Sequence, residues 1–395
     1  MNKFFIFSTK ICSLFVVFFF NFALAEQIPA KSNNKDFLKT RLLVEAIASD
    51  RYSFSDNKQE YLNNEARIDV VTQINLKNYF GYLNYRVQEN PIQKSEIQKR
   101  AQGNSHGDNF FDNHFGLLRE FYIGYNLGNI SLYGGKFRPN FGEAFKIGRG
   151  AFTNEPSVDY MQLERVGAGF FVNAGNANIG KYKLDFSMYK LDRKYLDNTQ
   201  ITTRDPTRKS DAALADTGGL NSFNLALDVN FDFSKYEKLF YRFAYSKQAV
   251  DYKEMSKKIA SNKISDQKGY AATIKYQNKI TSDIDYDWLF EYVNIKNSEG
   301  NSDIFDQYIN TNLITNIYQK YSLVSAFGSK KRIFKNQNGL DRYFSEFSLG
   351  YNFDKNDIYD NLQLQIGHKS LRINNKTSLD KENSYFVLLR YIKNF

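Results

Sequence analysis

Arg138 and the stretch that follows it, "PNFGEAFKIGRGAFTNEPSVDY" at 139–160, concentrate opposed charge: Arg138, Lys146 and Arg149 against Glu143, Glu155 and Asp159. Facing each other across a narrow, wet passage, such charges set a transverse field that sorts solutes by sign and size. On a solvated loop they make ordinary ion pairs of little energetic weight. Gly142, Gly148 and Gly150 would let this backbone turn tightly in a crowded space. A second grouping, "HGDNFFDNH", places His106, Asp108, Asp112 and His114 close together. These types can clamp a divalent ion, but a polar loop produces such groupings by chance, and no metal site is expected. The third histidine is His368, and no G-x-S-x-G occurs. Hydrolysis by a nucleophile needs a histidine beside a nucleophile or an acid, so neither an enzyme nor a cofactor is expected.

The chain that must position these charges starts with "MNKFFIFSTKICSLFVVFFFNFALA", with Lys3 and Lys10, an apolar run from Ile11 to Phe20 and Ala23-Leu24-Ala25. That is the pattern of a secretory signal peptide, 1–25, too short in its uncharged part to span a bilayer as a helix. Cys12, the one cysteine, lies inside it, so the exported chain carries no thiol and no disulfide framework. Without Lys3 and Lys10, 51 basic residues against 43 acidic ones leave a formal charge of +8. The charges are dispersed, with no basic helix or ribbon, which suits anionic surfaces and argues against a nucleic-acid partner.

Mean hydropathy is −0.54, yet the chain holds 28 Tyr and 36 Phe. The dominant period is two, the signature of strands. In "NSFNLALDVNFDF" Phe223, Leu225, Leu227, Val229 and Phe231 share one face, and Asn224, Ala226, Asp228 and Asn230 the other. "KLFYRFAYSK", "NLQLQIGHK" and "DRYFSEFSLGYNF" repeat the device. A soluble sandwich and a closed barrel in lipid both accept such strands. Many of these run to 10–12 residues, carry aromatics at their ends (Tyr182, Phe223, Phe231, Phe353, Tyr385) and alternate short with long connections, which favours the barrel.

Sixteen strands are predicted, near 38–48, 65–76, 79–88, 116–126, 130–137, 161–172, 181–191, 221–232, 238–248, 267–278, 284–296, 307–316, 319–329, 341–354, 361–371 and 384–395. Weak patterning in the first, third and twelfth leaves 14 or 18 open. The fold class is thus all-β: a transmembrane, antiparallel, up-and-down barrel over 38–395 after a short periplasmic segment, 26–37, with long external loops and short periplasmic turns. The inward register collects Asp69, Glu120, Asp185, Asp228, Asp285, Asp287, Glu291 and Glu346, with Lys183, Arg242, Lys275, Lys369 and Arg390. Closure requires the last strand to pair with the first, because hydrocarbon tolerates no open edge.

That last strand, "SYFVLLRYIKNF", sets Tyr385, Val387, Leu389, Tyr391 and Phe395 outward. It resembles the C-terminal signature by which Gram-negative outer-membrane proteins are recognised by the barrel-assembly machinery, although Lys393 interrupts the outward row. "LREFYIGYNLGNISLYGGKFRPNFG", at 118–142, resembles a hairpin of Gram-negative porins through Arg119, Glu120, Tyr122, Gly124, Gly135 and Lys136, with Phe121 in place of the usual Ala. The resemblance implies an outer-membrane location among lipid and lipopolysaccharide, passive passage of small hydrophilic solutes, a homotrimer, and a third external loop folded inward. In that case Arg138, Glu143, Lys146 and Arg149 form the constriction, and Glu120, Asp185, Asp228, Arg242, Lys275, Glu291, Glu346 and Arg390 line the lumen. The alternative is an adhesin barrel without transport, whose mark would be hydrophobic or repetitive loops; 192–220 is merely polar.

Overall fold

The computed structural model describes residues 38–55, 60–89, 114–147, 155–163, 165–176, 179–192, 213–335, 337–353, 362–374 and 379–394. The predicted signal peptide and the segment 26–37 lie outside them, as do His106, Asp108, Asp112, Arg149 and Phe395, and the side chains of Lys146, Glu155 and His114. Of two compact units, 1–39 and 40–395, the described residues of the first are only Leu38 and Lys39, both extended, and the second is the barrel.

Alternation of apolar and polar side chains folds into sixteen strands. They are β1 (Leu38–Ser55), β2 (Glu60–Leu76), β3 (Tyr79–Glu89), β4 (His114–Leu127), β5 (Ile130–Phe137), β6 (Arg165–Asn176), β7 (Gly180–Leu191) and β8 (Ser222–Asp232). There follow β9 (Lys238–Gln248), β10 (Gln267–Lys279), β11 (Ile284–Lys296), β12 (Ile304–Ile317), β13 (Tyr321–Phe334), β14 (Gln337–Asn352), β15 (Leu362–Asn374) and β16 (Leu379–Asn394). Each predicted strand has its counterpart. Neighbours in sequence pair antiparallel, and β16 pairs with β1 from Leu43↔Asn394 to Ser55↔Glu382, closing the cylinder. The seam is pinned inside by a hydroxyl contact of 2.8 Å between Ser53 and Ser384.

Two faces of opposite character result. Outward lie Ile123, Leu132, Leu225, Phe243, Leu313, Phe347, Leu349, Ile366 and Tyr385, all exposed. Phe170, Phe186, Phe223, Tyr245 and Tyr270 form an unbroken outer row across β6–β10, with ring centroids 5.1–6.2 Å apart. Val387, Leu389 and Tyr391 continue the outward register from Tyr385, opposite Ile366, Leu364 and Leu362. Inward lie Asn224, Asp228, Arg242, Glu291, Ser348 and Gln365. This is a globular core turned inside out, the arrangement that satisfies every backbone group without an edge.

At one rim several connections are tight, 77–78, 128–129 and 318–320 among them, and 353–361 is the longest. Gly128 sits at φ +63° in the β4–β5 turn, the left-handed conformation such a turn demands. The other rim is uneven. Residues 90–113, 138–164, 192–221 and 249–266 make long connections, whereas 56–59, 297–303, 335–336 and 375–378 are brief and join longer strands.

Candidate functional site

The loop after β5 begins where the hairpin backbones come closest. Gly135 has φ +138°, and a Cβ there would fall 2.3 Å from the Phe121 carbonyl oxygen, so only glycine fits. Beyond Phe137 the chain leaves the sheet and runs along the inner face. Asn140 donates to Asp185 Oδ2 at 2.9 Å, and its carbonyl accepts from Asn224 Nδ2 at 3.1 Å. Phe141, 2% exposed, then rests on Gly269 and a row of small side chains. That row is continuous: Ala226, Ala244, Ala271 and Val293 stand opposite one another on β8–β11, and Tyr308 on β12 ends it. Three alanines in register leave a trough the depth of an aromatic ring.

Two charged clamps hold the loop there. Arg242 donates to both carboxylate oxygens of Asp228, from Nε at 2.5 Å and from Nη2 at 2.6 Å. Its remaining amino group, Nη1, reaches the Glu143 carboxylate and the Gly142 carbonyl, the latter at 3.2 Å. The planar guanidinium suits this fork, since it presents donors along three edges at once. Glu291 answers with acceptors. It receives the backbone N–H groups of Glu143 at 2.5 Å and Ala144 at 3.3 Å, the Thr273 hydroxyl at 2.6 Å and the Tyr160 hydroxyl at 2.5 Å. Four donors use the lone pairs a carboxylate offers, which is how a buried charge is tolerated.

Tyr160 lies in the loop, and its oxygen also accepts from Asn310 Nδ2 at 2.6 Å. Burial, and then the Glu291 carboxylate, push its phenol well above the ordinary range, so it stays a donor. Further along, Pro156 packs where a Cβ on Gly328 would sit, and Asp159 takes Lys330 Nζ at 2.6 Å. The return leg is tied by Gln162 to Ser246 at 2.7 Å and by Arg165 to Gln248 at 2.9 Å. The described part of 138–163 therefore lines the wall from β7 to β13.

The wall from β1 to β4 carries a second set of charges. Arg138 Nη2 meets Glu120 Oε1 at 2.6 Å and its guanidinium lies 4.6 Å from the Phe145 ring centre. Arg86 meets Asp69 at 2.5 Å, Arg67 meets Asp69 at 3.0 Å, and Glu45 lies between Arg67 at 3.5 Å and Arg390 at 3.7 Å. Lys275 pairs with Asp287 at 3.2 Å, and Glu346, which takes the Ser348 hydroxyl at 3.2 Å, stands opposite Lys369.

Of the residues singled out in the sequence, the structure thus gathers Glu143, Asp228, Arg242 and Glu291 into one cluster, joins Arg138 to Glu120, and links Asp185 to the loop through Asn140. Lys275, Glu346 and Arg390 stand apart. Lys146 belongs to a short helical turn, Ala144–Ile147. Sequence reasoning missed Phe141, Tyr160, Thr273 and Asn310. The alanines at the same inward level of adjacent strands were the available signal for the first. Among the described residues no group of three or more His, Cys, Asp or Glu is placed to hold a metal.

No protein-family model and no curated protein matches the chain at the level of sequence. Solved structures do. The outer-membrane channel DcaP of Acinetobacter baumannii is similar with a TM-score of 0.55 at 10% identity, over 92% of this chain and 100% of that one. OmpF of Salmonella typhi, solved in complex with daunomycin, gives 0.52 at 10% identity over 90% and 99%. A loop-deletion mutant of OmpT, an outer-membrane protein of Vibrio cholerae, gives 0.51 at 8% over 91% and 100%. A closed, antiparallel cylinder of sixteen strands, apolar outside and charged within, is the fold of the Gram-negative outer-membrane porins and channels, and it is the fold of this chain.

Proposed function

We propose that the protein is an outer-membrane porin through which small hydrophilic solutes and ions diffuse passively. The observation that carries this reading is the contrast of faces: an apolar exterior around an interior lined with charged and polar side chains. Diffusion through such an interior needs no cofactor and no covalent step. The loop 138–160 narrows the passage, with Arg138, Glu143, Lys146 and Arg149 at the constriction, Glu120, Asp185, Lys275, Glu346 and Arg390 around it, and Asp228, Arg242 and Glu291 beneath it as the anchors that hold the loop to the wall. Opposed charges at that level set a field across the path.

Residues 1–25 direct export and are removed, and the outward row Tyr385, Val387, Leu389, Tyr391 and Phe395 presents the last strand to the barrel-assembly machinery. The mature chain then sits among outer-membrane lipid and lipopolysaccharide as a homotrimer, an arrangement that cross-linking in native membranes reads directly. Swelling of liposomes by sugars of increasing size tests transport. Small sugars should enter and larger ones be excluded. Protein that reconstitutes with heat-modifiable mobility but admits neither sugar nor ion favours the adhesin instead.

A further inference from the structure

The inner face of β3–β6 breaks the pattern of the rest of the lumen. Elsewhere the inward rings are closed off, Phe141, Tyr160 and Tyr308 by the loop and Tyr189, Phe344 and Phe386 within the wall, all at 0–4% exposure, while Phe240 and Phe334 are single half-buried rings on β9 and β13. On β3–β6 five inward rings, Phe80, Tyr82, Tyr122, Tyr133 and Phe171, are only half-buried. They are contiguous. Tyr82 and Tyr122 are stacked at 5.1 Å with planes 17° apart, Tyr122 and Tyr133 lie 5.9 Å apart, and Phe171 is 6.3 Å from both Tyr133 and Phe80.

Glycines make room for them. A Cβ on Gly124 would fall 2.1 Å from the Phe80 ring, and one on Gly169 would fall 2.6 Å from the Tyr133 ring. Phe80 and Tyr133 therefore lie down over their glycines, against the wall, while Tyr82 and Tyr122 stack on one another beside them. Across the three strand spacings from β3 to β6 the patch extends about 14 Å.

Charged groups frame the patch, and they are already paired. Glu120 holds Arg138 at 2.6 Å, Asp69 holds Arg86 at 2.5 Å, and Asp185 accepts from Tyr133 at 3.1 Å and Asn140 at 2.9 Å. Lys183 Nζ stands 4.2 Å from the centre of the Phe171 ring. A frame of this kind offers N–H donors and carboxylate lone pairs with no excess of either sign. A phosphate would require spare cations, and an organic cation a spare carboxylate. What fits is a neutral solute with flat C–H faces and a rim of hydroxyls: the C–H face lies on the negative face of the rings while the hydroxyls reach the ion pairs.

We infer that the β3–β6 wall is a binding track for a linear oligosaccharide of pyranose units, set beside the loop. The inference rests on the channel reading above, and it names a solute class that reading leaves open. Rings in sequence rather than one deep pocket favour a chain that slides, because each step exchanges one stacking contact for the next.

The test is single-channel recording of the full-length protein with maltotriose, cellotriose and xylotriose as probes and sorbitol, an acyclic polyol, as control. At least one trisaccharide should reduce the salt current saturably, and sorbitol should not. In the double variant Tyr82→Ala, Tyr122→Ala the sugar concentration for half-reduction should rise about tenfold. Tyr82→Phe with Tyr122→Phe should restore it, since the ring faces return without the hydroxyls. Normal salt current that no trisaccharide alters overturns the track while leaving the channel intact, and so does an equal half-reduction concentration in wild type and the alanine pair. Absence of salt current removes the channel itself and the track with it.

Discussion

Two walls of the lumen use the same residue types to opposite ends. On β8–β11 the charged side chains are spent on protein: Arg242 is 4% exposed and Glu291 0%, and their partners include the backbone and side chains of an incoming loop. On β2–β4 the pairs Arg86–Asp69 and Arg138–Glu120 are as short, yet their side chains keep 17% and 16% exposure on the arginine side. The first wall is a mounting; the second is left partly open to the lumen. Ion pairing alone therefore does not distinguish a structural charge from one that meets solute. What distinguishes them is whether another segment covers the pair.

Removal of one member of the covered cluster should have the largest effect. Arg242→Ala leaves Asp228 and Glu143 buried side by side without their cation, a loss on the order of 3–5 kcal/mol. The urea concentration that abolishes the folded, fast-migrating electrophoretic band should fall markedly, and the loop should become open to protease. An unchanged midpoint would mean that the cluster does not hold the loop.

The facing wall should respond in the other currency. Arg138→Ala breaks a pair that keeps 16% and 12% exposure and can draw in water, so the midpoint should fall less than for Arg242→Ala. Reversal potentials under a salt gradient should shift toward cation preference, because a fixed positive charge leaves the passage while Glu120 stays. If selectivity holds and stability drops instead, the two walls have been assigned the wrong way round.

The smallest effect concerns pH. Tyr160 has its phenol raised from an ordinary value of 10.0. The unfolded chain releases that proton near the ordinary value, whereas the folded chain keeps it to higher pH. Its contribution is therefore whole below about pH 10 and is lost as pH rises toward the folded value. Urea midpoints between about pH 9 and about pH 11 should fall more steeply for the wild type than for Tyr160→Phe. Parallel slopes would show that the phenol does not bear on Glu291.

The strands were legible from sequence for a physical reason: with lipid outside and water inside, every second residue from Phe223 to Phe231 is constrained, and so is every residue between. The same alternation assigned Asp228, Arg242 and Glu291 to the interior. Their partners were not legible. Glu143 is 99 residues from Arg242, and Tyr160 is 131 from Glu291, so no local pattern links them. Strand lengths at the loop rim were also understated, since β1 continues to Ser55 and β13 to Phe334. There the residues rise beyond any apolar belt and the period-two contrast weakens. Phe80 and Tyr133 were hidden differently: an inward aromatic has no local signal until Gly124 is seen beneath the one and Gly169 beneath the other.

The Ser53–Ser384 contact joins positions 331 residues apart. No early fragment of the chain can satisfy its own two edges, so the cylinder becomes tolerable to hydrocarbon only once both ends have been delivered. Formation is then slow and all but indivisible, because the contact that completes it is also the one of greatest sequence separation.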